Sequence, residues 1–432
     1  MKYPSDQAGR QGKYLFGSAR SPVHLFDRIR QNDARNGVAV GNRNLEGYLF
    51  SWLANGHPKA RTVLDKEPAR WPYSRRNNTA GNDGMNANPF LGVFLHAIGG
   101  LAAGSFYIPY KRVRGWAWET YWLVGGVFSW IVAPWVVASL TCPAPWQVIR
   151  QAPVSSVAWA YFFGVLWGVG GLTFGLSMRY LGMSLGYAFA LGFCAAFGTI
   201  IPPLFQGTFG ELLSALSGWV TLAGVAVCLG GIAVCGRAGL AKERELSPEA
   251  KRASISEFNF LKGVWVAIFA GVMSACMAFA IAAGKPIAEL AVRHGAPDLW
   301  KNTPVFIVIL AGGFTTNAIW CLILNVRNRT LPDYGRADVP LAANYLFSAL
   351  AGITWYLQFM FYGMGTTRMG RYDFSSWTIH MAFIIVFSNL WALYFREWKG
   401  TSRTAHRMIF AGIAVLIAST IVVGIGNYLA AK

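Results

Sequence analysis

The sequence predicts an all-α integral membrane protein with ten transmembrane helices, arranged as two inverted five-helix repeats. Of the 432 residues, 54% are hydrophobic and only 13% are charged, whereas soluble proteins carry about 25% charged residues. Ten apolar stretches follow Asn88, each near the roughly 20 residues that a helix needs to cross a bilayer. Glycine and tryptophan patterns also recur between the two halves at a nearly constant spacing.

The first 84 residues form a polar, basic N-terminal extension, with 14 Lys or Arg against 7 Asp or Glu. It contains no apolar stretch of spanning length, and no apolar core follows the basic start as in a signal peptide. Because this composition buries too little apolar surface to fold alone, we expect residues 1–84 to be disordered or not translated. Met85 directly precedes the first apolar stretch and is the expected start of translation.

The ten predicted spans are mostly joined by short connections. The long exception is a charged stretch over 237–259, which separates a first repeat, 85–236, from a second repeat, 260–432. The predicted spans are 89–109, 121–140, 154–178, 181–204, 218–236, 260–283, 303–325, 341–364, 375–395 and 407–429.

The two halves resemble each other when the chain is shifted by 188 residues. Gly164 and Trp167 then fall on Gly352 and Trp355. Other matches at this shift are Gly224 with Gly412 and Gly236 with Gly424, while Gly92 meets Gly263 at a shift of 171. Because each half has an odd number of spans, the halves must lie in opposite orientations, which is the arrangement of many secondary transporters.

The distribution of basic residues predicts the orientation. Connections after the odd-numbered spans carry more than twice as many Lys and Arg as those after the even-numbered spans. Since Lys and Arg accumulate on the cytoplasmic side, the odd-numbered connections, including 237–259, are predicted to be cytoplasmic. Both ends of the ten-span core are then periplasmic. The basic extension opposes this orientation, unless it is exported or not made.

Polar groups interrupt the apolar stretches between Trp355 and Trp398. Ionisable groups at membrane depth are costly, so they usually line a pathway or a binding cavity. The alternative is that Arg371 and Asp373 lie in an interfacial loop and that His380 only packs. The groups concerned are Gln358, Tyr362, Arg371, Tyr372, Asp373 and His380, with His96 in the first span.

Two lysines end corresponding spans, Lys111 after the first and Lys285 after the sixth. They are either a symmetric pair at the mouth of a cavity or lysines that extend to the interface. The six cysteines lack the spacing of metal ligands or an evident disulfide partner. No nucleophile is clustered with a base, so we expect no enzyme, no metal and no cofactor.

Long motifs from about Pro89 to Gly426 resemble the L-rhamnose–proton symporter family of the drug/metabolite transporter superfamily. They include Phe106-Tyr-x-Pro-Tyr-Lys-Arg-Val, Trp116-x-Trp-Glu, Trp130-Ile-x-x-Pro-Trp, Gly175-Leu-Ser-Met-Arg-Tyr-Leu-Gly-Met-Ser-Leu-Gly, Trp355-Tyr-Leu-Gln-Phe and Tyr372-Asp-Phe-x-Ser-Trp-x-x-His-Met. The resemblance implies ten helices in two inverted repeats, and uptake of L-rhamnose with a proton across the cell inner membrane. It does not extend to residues 1–84.

The third span departs from the family pattern. Gly171 and Thr173 stand where the family typically has asparagines, and Phe174 stands where a tyrosine is usual. A polar ligand group left unpaired costs about 1–3 kcal/mol. The resemblance therefore supports transport of a sugar more directly than transport of rhamnose itself.

A sugar site needs amide and hydroxyl partners together with aromatic walls. The expected polar partners are Tyr107, Thr173, Gln358 and Tyr362, and the expected walls are Trp167, Trp355 and Trp377. Proton coupling needs a group that titrates near neutrality, for which His96, Asp373 and His380 are the candidates. Their expected charge partners are Lys111, Lys285 and Arg371.

Three alternatives remain at the level of sequence. An exporter or exchanger of another sugar or metabolite differs in its substrate and in the direction of coupling. A membrane sensor binds a sugar without moving it. A membrane enzyme would need a clustered nucleophile and base, or metal ligands, and the sequence shows none, because His294 and His406 stand alone beside polar loops. The net charge of +19 does not by itself indicate binding of nucleic acid, since the basic residues lie mainly between apolar stretches. The expected partners are therefore a sugar, a proton and the lipid bilayer.

Overall fold

The computed structural model describes residues 87–205, 207–245, 259–396 and 398–432, and every regular element in these ranges is helical. The predicted extension, residues 1–84, lies outside the described residues. Long apolar helices pack side by side, and many of their large hydrophobic side chains are exposed, among them Phe90, Leu140 and Val326. The predicted class, an all-α integral membrane protein, is confirmed.

Fourteen α-helices are present within the described ranges. In chain order, they are α1 Pro89–Ser105, α2 Tyr107–Tyr110, α3 Trp118–Val127, α4 Ala133–Thr141, α5 Pro145–Gln151, α6 Val154–Phe205, α7 Phe209–Ser214, α8 Leu216–Glu245, α9 Phe260–Ala283, α10 Lys285–Arg293, α11 Thr303–Asn328, α12 Leu341–Thr366, α13 Ser376–Tyr394 and α14 Arg403–Ala431. A π-helical turn, Phe128–Val132, joins α3 to α4, and short 3₁₀ turns lie at Asp298–Trp300, Leu331–Tyr334 and Gly370–Ser375.

Eight helices of the described chain are long and apolar enough to cross a membrane. Two predicted spans fall outside this set: 181–204 appears as the shorter apolar helix Phe189–Leu204, and 341–364 corresponds to α12, a 26-residue helix with more polar side chains. The predicted number of ten spans therefore stays a prediction.

Helix α6 covers two predicted spans without an interruption at residues 179 and 180. A straight helix of 52 residues is about 78 Å long, yet both parts of α6 contact the same region of α9. A Cβ atom on Gly170 would meet Ser274, and one on Gly271 would lie 3.0 Å from the backbone nitrogen of Cys194. The chain must therefore reverse its direction between Gly170 and Cys194.

The charged connection begins later than the sequence predicts. Helix α8 continues to Glu245, so the first nine residues of the predicted 237–259 connection are helical; residues 246–258 lie outside the described chain. Glu245 accepts a hydrogen bond from the backbone nitrogen of Ser402. This contact lowers the pKa of the Glu245 carboxyl group and ties the end of α8 to the start of α14.

Contacts between helices follow the spacing found in the sequence. A Cβ on Gly92 of α1 would lie 2.7 Å from the sulfur of Met369, and one on Gly263 of α9 would meet Leu181 at 2.5 Å. The shift of 171 relates the two glycines, and the shift of 188 relates the two residues that they contact. The contact of Gly92 with Met369 in one half therefore corresponds to the contact of Gly263 with Leu181 in the other half.

A second pair of contacts joins α8 to α14. A Cβ on Gly224 would lie 2.8 Å from the backbone nitrogen of Val423, and one on Gly412 would lie 3.0 Å from that of Cys235. The shift of 188 exchanges these two contacts. Such pairing is what an internal repeat predicts, although the inverted repeat itself stays a prediction.

A buried polar network joins α3 to the end of α11. The Glu119 carboxylate, which the first turn of α3 carries, accepts hydrogen bonds from Asn328 Nδ2 and Thr330 Oγ1, both at 2.9 Å. Nearby, burial raises the pKa of Tyr334 to about 12. The network holds the connection after α11 against the start of α3.

Helices α1, α12 and α13 form the part of the bundle that carries the candidate site. Glycines on α1 let the three helices approach closely, as small residues do in membrane bundles. A Cβ on Gly100 would overlap Phe383 of α13, and one on Gly92 would lie 3.2 Å from the carbonyl oxygen of Gly365 of α12. At the start of α1, the backbone nitrogen of Asn88 donates to the carbonyl of Arg368 at 3.0 Å.

Candidate functional site

Four polar side chains meet in the core between α1, α12 and α13. They are His96, Gln358, Tyr362 and His380, which we call the histidine cluster. The Tyr362 ring centroid lies 5.2 Å from that of His96 and 5.2 Å from that of His380, while the two imidazoles are 6.1 Å apart. His96 is 0% exposed and His380 is 2% exposed.

The helix geometry brings these groups together. Gln358 and Tyr362 are four residues apart on α12, so they lie on the same helix face. Two glycines leave room for the imidazoles: a Cβ on Gly365 would lie 2.7 Å from His96 Cε1, and one on Gly99 would lie 3.1 Å from His380 Cε1. Any larger residue at these two positions would therefore displace an imidazole.

Several polar atoms of the cluster have no hydrogen-bond partner. His380 Nε2 lies 3.4 Å from Gln358 Oε1, a long hydrogen bond. In contrast, both ring nitrogens of His96 and the Nε2 atom of Gln358 are buried without a partner among the described residues. Such groups are rare in folded proteins and require an explanation, because leaving one unpaired costs about 1–3 kcal/mol. The cluster can accept hydrogen bonds from a hydroxyl-bearing ligand and donate to it.

Trp377 borders the cluster on the side of α6. Its ring centroid lies 5.7 Å from that of Tyr362, in an edge-to-face arrangement. The indole nitrogen donates to the carbonyl of Cys194 at 3.0 Å, so it is occupied within the protein. Trp377 therefore presents a ring face to Tyr362, while its role as a wall of a sugar site stays a prediction.

Asp373 lies outside the buried cluster and pairs with Lys285. Lys285 Nζ and Asp373 Oδ2 are 3.1 Å apart, and the two side chains are 35% and 39% exposed. Exposed pairs of this kind contribute little to stability. The pair joins the start of α10 to the 3₁₀ turn before α13, and the Arg371 side chain lies outside the described part of the chain.

The remaining predicted residues lie away from the histidine cluster. Trp355 faces Phe106, with ring centroids 4.2 Å apart. Trp167 lies edge-to-face with Phe359 at 5.4 Å. Tyr107 is 45% exposed and packs on Phe106 at a ring-centroid distance of 4.3 Å. Trp167 and Trp355 therefore form one group, in which both rings pack on Phe359. Trp377 lies apart from them, against Tyr362.

Two further predicted residues have local partners. The Thr173 hydroxyl donates to the carbonyl of Val169 on its own helix at 2.9 Å. Lys111 Nζ lies 4.2 Å from the centroid of the Phe395 ring, so the two lysines at corresponding positions have unlike partners. Ser129 and Trp130 are buried residues with polar side-chain atoms that were not among the predicted site residues. In a sequence, both look like ordinary residues of an apolar span.

Known proteins are similar to this chain over most of its length. A family described as L-rhamnose-proton symport protein (RhaT) matches residues 85–430. A protein named L-rhamnose-proton symporter from Cronobacter sakazakii is 41% identical over 340 residues, covering 78% of this chain and 97% of the relative. Proteins of the same name from Yersinia pestis and Salmonella typhi are each 38% identical, over 346 and 340 residues.

These matches cover 79% and 78% of this chain, and 99% and 97% of the Yersinia and Salmonella proteins. They confirm the resemblance that the motifs of the apolar core carry. The chain therefore belongs to the L-rhamnose-proton symport protein (RhaT) family.

Proposed function

We propose that this protein imports a sugar, L-rhamnose in the first instance, together with a proton across the cell inner membrane. The observation that carries the proposal is the histidine cluster, a pair of buried imidazoles beside an amide and a phenol in a family of sugar–proton symporters. Relatives that cover nearly their whole length bear the name L-rhamnose-proton symporter, which supports the choice of substrate.

The histidine cluster has the groups that a sugar needs. Hydroxyl groups both donate and accept hydrogen bonds, and a neutral imidazole likewise has one donor and one acceptor nitrogen. In our proposal, His96 and Gln358 bind sugar hydroxyls with the atoms that have no protein partner, Tyr362 adds a phenol, and Trp377 contacts an apolar C–H face. Tyr107, Trp167, Thr173 and Trp355 belong to the same proposed substrate-binding set, along the path beyond the cluster.

The two imidazoles suggest how proton and sugar are coupled. A charged imidazolium buried without acceptors is strongly unfavourable, so the proton alone does not enter the cluster readily. An imidazolium donates from both nitrogens, and sugar hydroxyl oxygens are the acceptors it lacks. Each ligand therefore stabilises the other, and this coupling is reciprocal.

Asp373 has a different place in the proposed mechanism. It is half-exposed and paired with Lys285, so it lies where a proton can be exchanged with water. We assign it to proton entry, with Lys285 and Arg371 as charge partners, and assign proton binding beside the sugar to His96 and His380. Lys111, which directly follows α2, remains a proposed charge partner.

The proposed topology has ten spans in two inverted repeats, 85–236 and 260–432, with a cytoplasmic connection over 237–259 and periplasmic core termini. The paired contacts of Gly92 with Gly263, and of Gly224 with Gly412, support the repeat. The excess of Lys and Arg in the odd-numbered connections supports the orientation.

A second sugar of the same chemical class is the alternative substrate. Gly171 supplies no side chain, and the Thr173 hydroxyl is used by its own helix, so the third span offers few free polar groups to a sugar. A sugar with fewer hydroxyl groups that need hydrogen-bond partners, or with its hydroxyl groups arranged differently, would fit a third span that lacks the polar side chains typical of the family.

Uptake of labelled L-rhamnose tests the function. The chain is expressed from Met85 in cells that lack their own rhamnose transport, and membrane insertion is measured in parallel. We expect saturable uptake that a protonophore abolishes. A panel of labelled monosaccharides is tested in the same way. If only another sugar in the panel shows saturable uptake, that sugar replaces L-rhamnose as the proposed substrate. Absence of any sugar uptake from an inserted protein would contradict it.

A further inference from the structure

A pocket lined by aromatic rings lies between the first, second and eighth predicted spans, outside the histidine cluster. We call it the aromatic pocket. Its volume, counted out to its mouth, is about 190 Å³. It is lined by Phe106, Tyr110, Trp122, Gly125, Gly126, Ser129, Trp130, Gly352 and Trp355.

Three hydrogen-bond donors of the aromatic pocket have no partner within the part of the chain that the structure describes. They are the Oγ atom of Ser129 and the Nε1 atoms of Trp130 and Trp355. Ser129 is 1% exposed and Trp130 is 4% exposed, so water outside the protein does not satisfy them. A buried tryptophan usually finds a partner for its N–H group. Three such donors around one pocket therefore point to a ligand with several acceptor oxygens.

The rings around these donors form apolar faces at several angles. Phe106 and Trp355 have ring centroids 4.2 Å apart, and Trp122 and Trp130 meet edge-to-face at 6.2 Å. Ligand sites combine such apolar walls with a few placed polar groups. Aromatic faces with N–H and O–H donors between them match the chemistry of a pyranose, which has C–H faces edged by hydroxyl oxygens.

The aromatic pocket is close to the histidine cluster along α12. Trp355 precedes Gln358 by three residues, which is about 4.5 Å of rise along a helix. A sugar that leaves Gln358 therefore needs to move by about one helical turn to reach Trp355. In the present conformation the enclosed space holds about one water molecule, because Gly352 packs against the backbone of Gly125. A sugar requires these two helices to separate.

We propose that the aromatic pocket is a second sugar subsite, on the path between the histidine cluster and the cytoplasm. The unpaired O–H and N–H groups of Ser129, Trp130 and Trp355 donate to sugar hydroxyl oxygens, and the ring faces of Trp122 and Trp355 contact the C–H face of the sugar. This subsite rests on the proposed function, since it takes the same sugar that the histidine cluster binds.

Two substitutions remove the unpaired donors while keeping the pocket largely filled, Trp130→Phe and Ser129→Ala. The chain offers matched controls, because Trp116 Nε1 and Ser348 Oγ are also buried without a partner but do not line the pocket. Trp116→Phe thus makes the same chemical change away from the pocket, and Ser348→Ala makes it on α12 one turn before Gly352, beside the pocket but outside its lining. Each full-length variant is purified in lipid nanodiscs, its melting temperature is recorded, and equilibrium binding of labelled L-rhamnose is measured as a function of pH.

We expect Trp130→Phe and Ser129→Ala each to weaken L-rhamnose binding by about 2- to 10-fold, the effect of losing one neutral hydrogen bond. The two controls should bind within about twofold of the unsubstituted protein. The pH dependence of binding should keep its shape in the pocket variants, because the imidazoles are unchanged. Trp355→Phe provides a third variant, should one of the others fold poorly.

The outcomes separate the subsite from the function as a whole. If the unsubstituted protein binds and transports L-rhamnose while all pocket variants bind like their controls, the subsite is wrong and the proposed function stands. If the unsubstituted, folded protein binds no sugar from the panel of monosaccharides, both proposals are wrong.

Discussion

At the scale of single residues, the closeness of His96 and His380 limits what the cluster can hold. Their ring centroids are 6.1 Å apart, and two like charges at that distance inside a protein repel each other strongly. One proton therefore charges at most one of the two imidazoles. In the proposed mechanism the histidine cluster therefore carries at most one proton at a time.

Substitution of either imidazole should separate sugar movement from proton movement. Asparagine in His96→Asn or His380→Asn keeps hydrogen-bonding groups for the sugar but cannot bind a proton near neutral pH. We expect both variants to lose accumulation of L-rhamnose against its gradient, by at least about tenfold, since proton transfer by a positioned histidine is commonly worth that much or more. Exchange of labelled for unlabelled sugar at equal concentrations should persist.

The control for these variants is His406→Asn, because His406 contacts Thr401 and Ser402 at the start of α14, away from the cluster. It should accumulate sugar like the unsubstituted protein. Normal accumulation and normal pH dependence in both His96→Asn and His380→Asn would remove the imidazoles from the coupling mechanism.

Sequence reasoning identified His96, Gln358, Tyr362 and His380 because polar groups within apolar stretches are conspicuous. It did not identify Ser129 or Trp130, since serine and tryptophan occur throughout membrane spans and only tertiary packing leaves their donors without partners. It named Lys285 as a charge partner for the proton-coupling candidates, and Lys285 does pair with Asp373. It did not separate the half-exposed Asp373 from the two buried histidines, because burial depends on the packing of distant segments.

At the scale of helices, the contact between α1 and α12 determines where His96 lies. A Cβ on Gly365 would lie between 2.7 and 3.0 Å from three atoms of the His96 ring, which is closer than real Cβ atoms pack. The ring fills a fully buried position and has little room to move. The glycine is therefore needed for the position of the imidazole as well as for helix packing.

Gly365→Ala should displace the His96 ring and reduce L-rhamnose uptake by about tenfold or more, with a cost in stability of about 1–3 kcal/mol from overpacking. The matched control is Gly230→Ala in α8, where no atom lies within 4 Å of the added Cβ. Because alanine favours a helix over glycine, the control should be neutral or slightly stabilising. Uptake by Gly365→Ala equal to that of the control would contradict the proposed role of His96.

The helices themselves were predictable to different degrees. Apolar length and polar connections predicted most spans to within a few residues, as for α9 and α11. The predicted break at residues 179 and 180 does not appear as an interruption of α6, although the contacts with α9 require the chain to reverse between Gly170 and Cys194. Likewise, the charged residues after Gly236 suggested a loop, whereas α8 extends its helix through Glu245 beyond the apolar part.

At the scale of the whole molecule, two regions of contact lie on either side of the histidine cluster. The Lys285–Asp373 pair lies at one end, and the Gly125–Gly352 contact closes the aromatic pocket toward the other. Alternating access requires that these two regions open in turn around a site that stays near the midplane. The ion pair, being half-exposed, is weak enough to open, and Gly352 packs directly on the backbone of Gly125.

In the proposed inverted repeat, the contacts made by Gly92 and Gly263 occupy equivalent positions in the two halves. If α1 packs on α12 as α9 packs on α6, then opening of the first helix contact at one end of the molecule corresponds to closing of the second helix contact at the other end. The shift of 188 residues was found in the sequence because glycines are retained at both members of each contact. The partners Met369 and Leu181 share only their apolar character, so the sequence alone could not reveal that they correspond.

Proton movement driven by sugar tests the central claim most directly. The purified chain is placed in liposomes that contain a pH-sensitive dye, with no pH gradient and with potassium and valinomycin holding the membrane potential at zero, and L-rhamnose is added outside. Coupled symport predicts that the lumen becomes acidic as labelled rhamnose enters, with initial rates of both that saturate together. Saturable rhamnose entry without a change of luminal pH, or with alkalinisation of the lumen, would contradict symport.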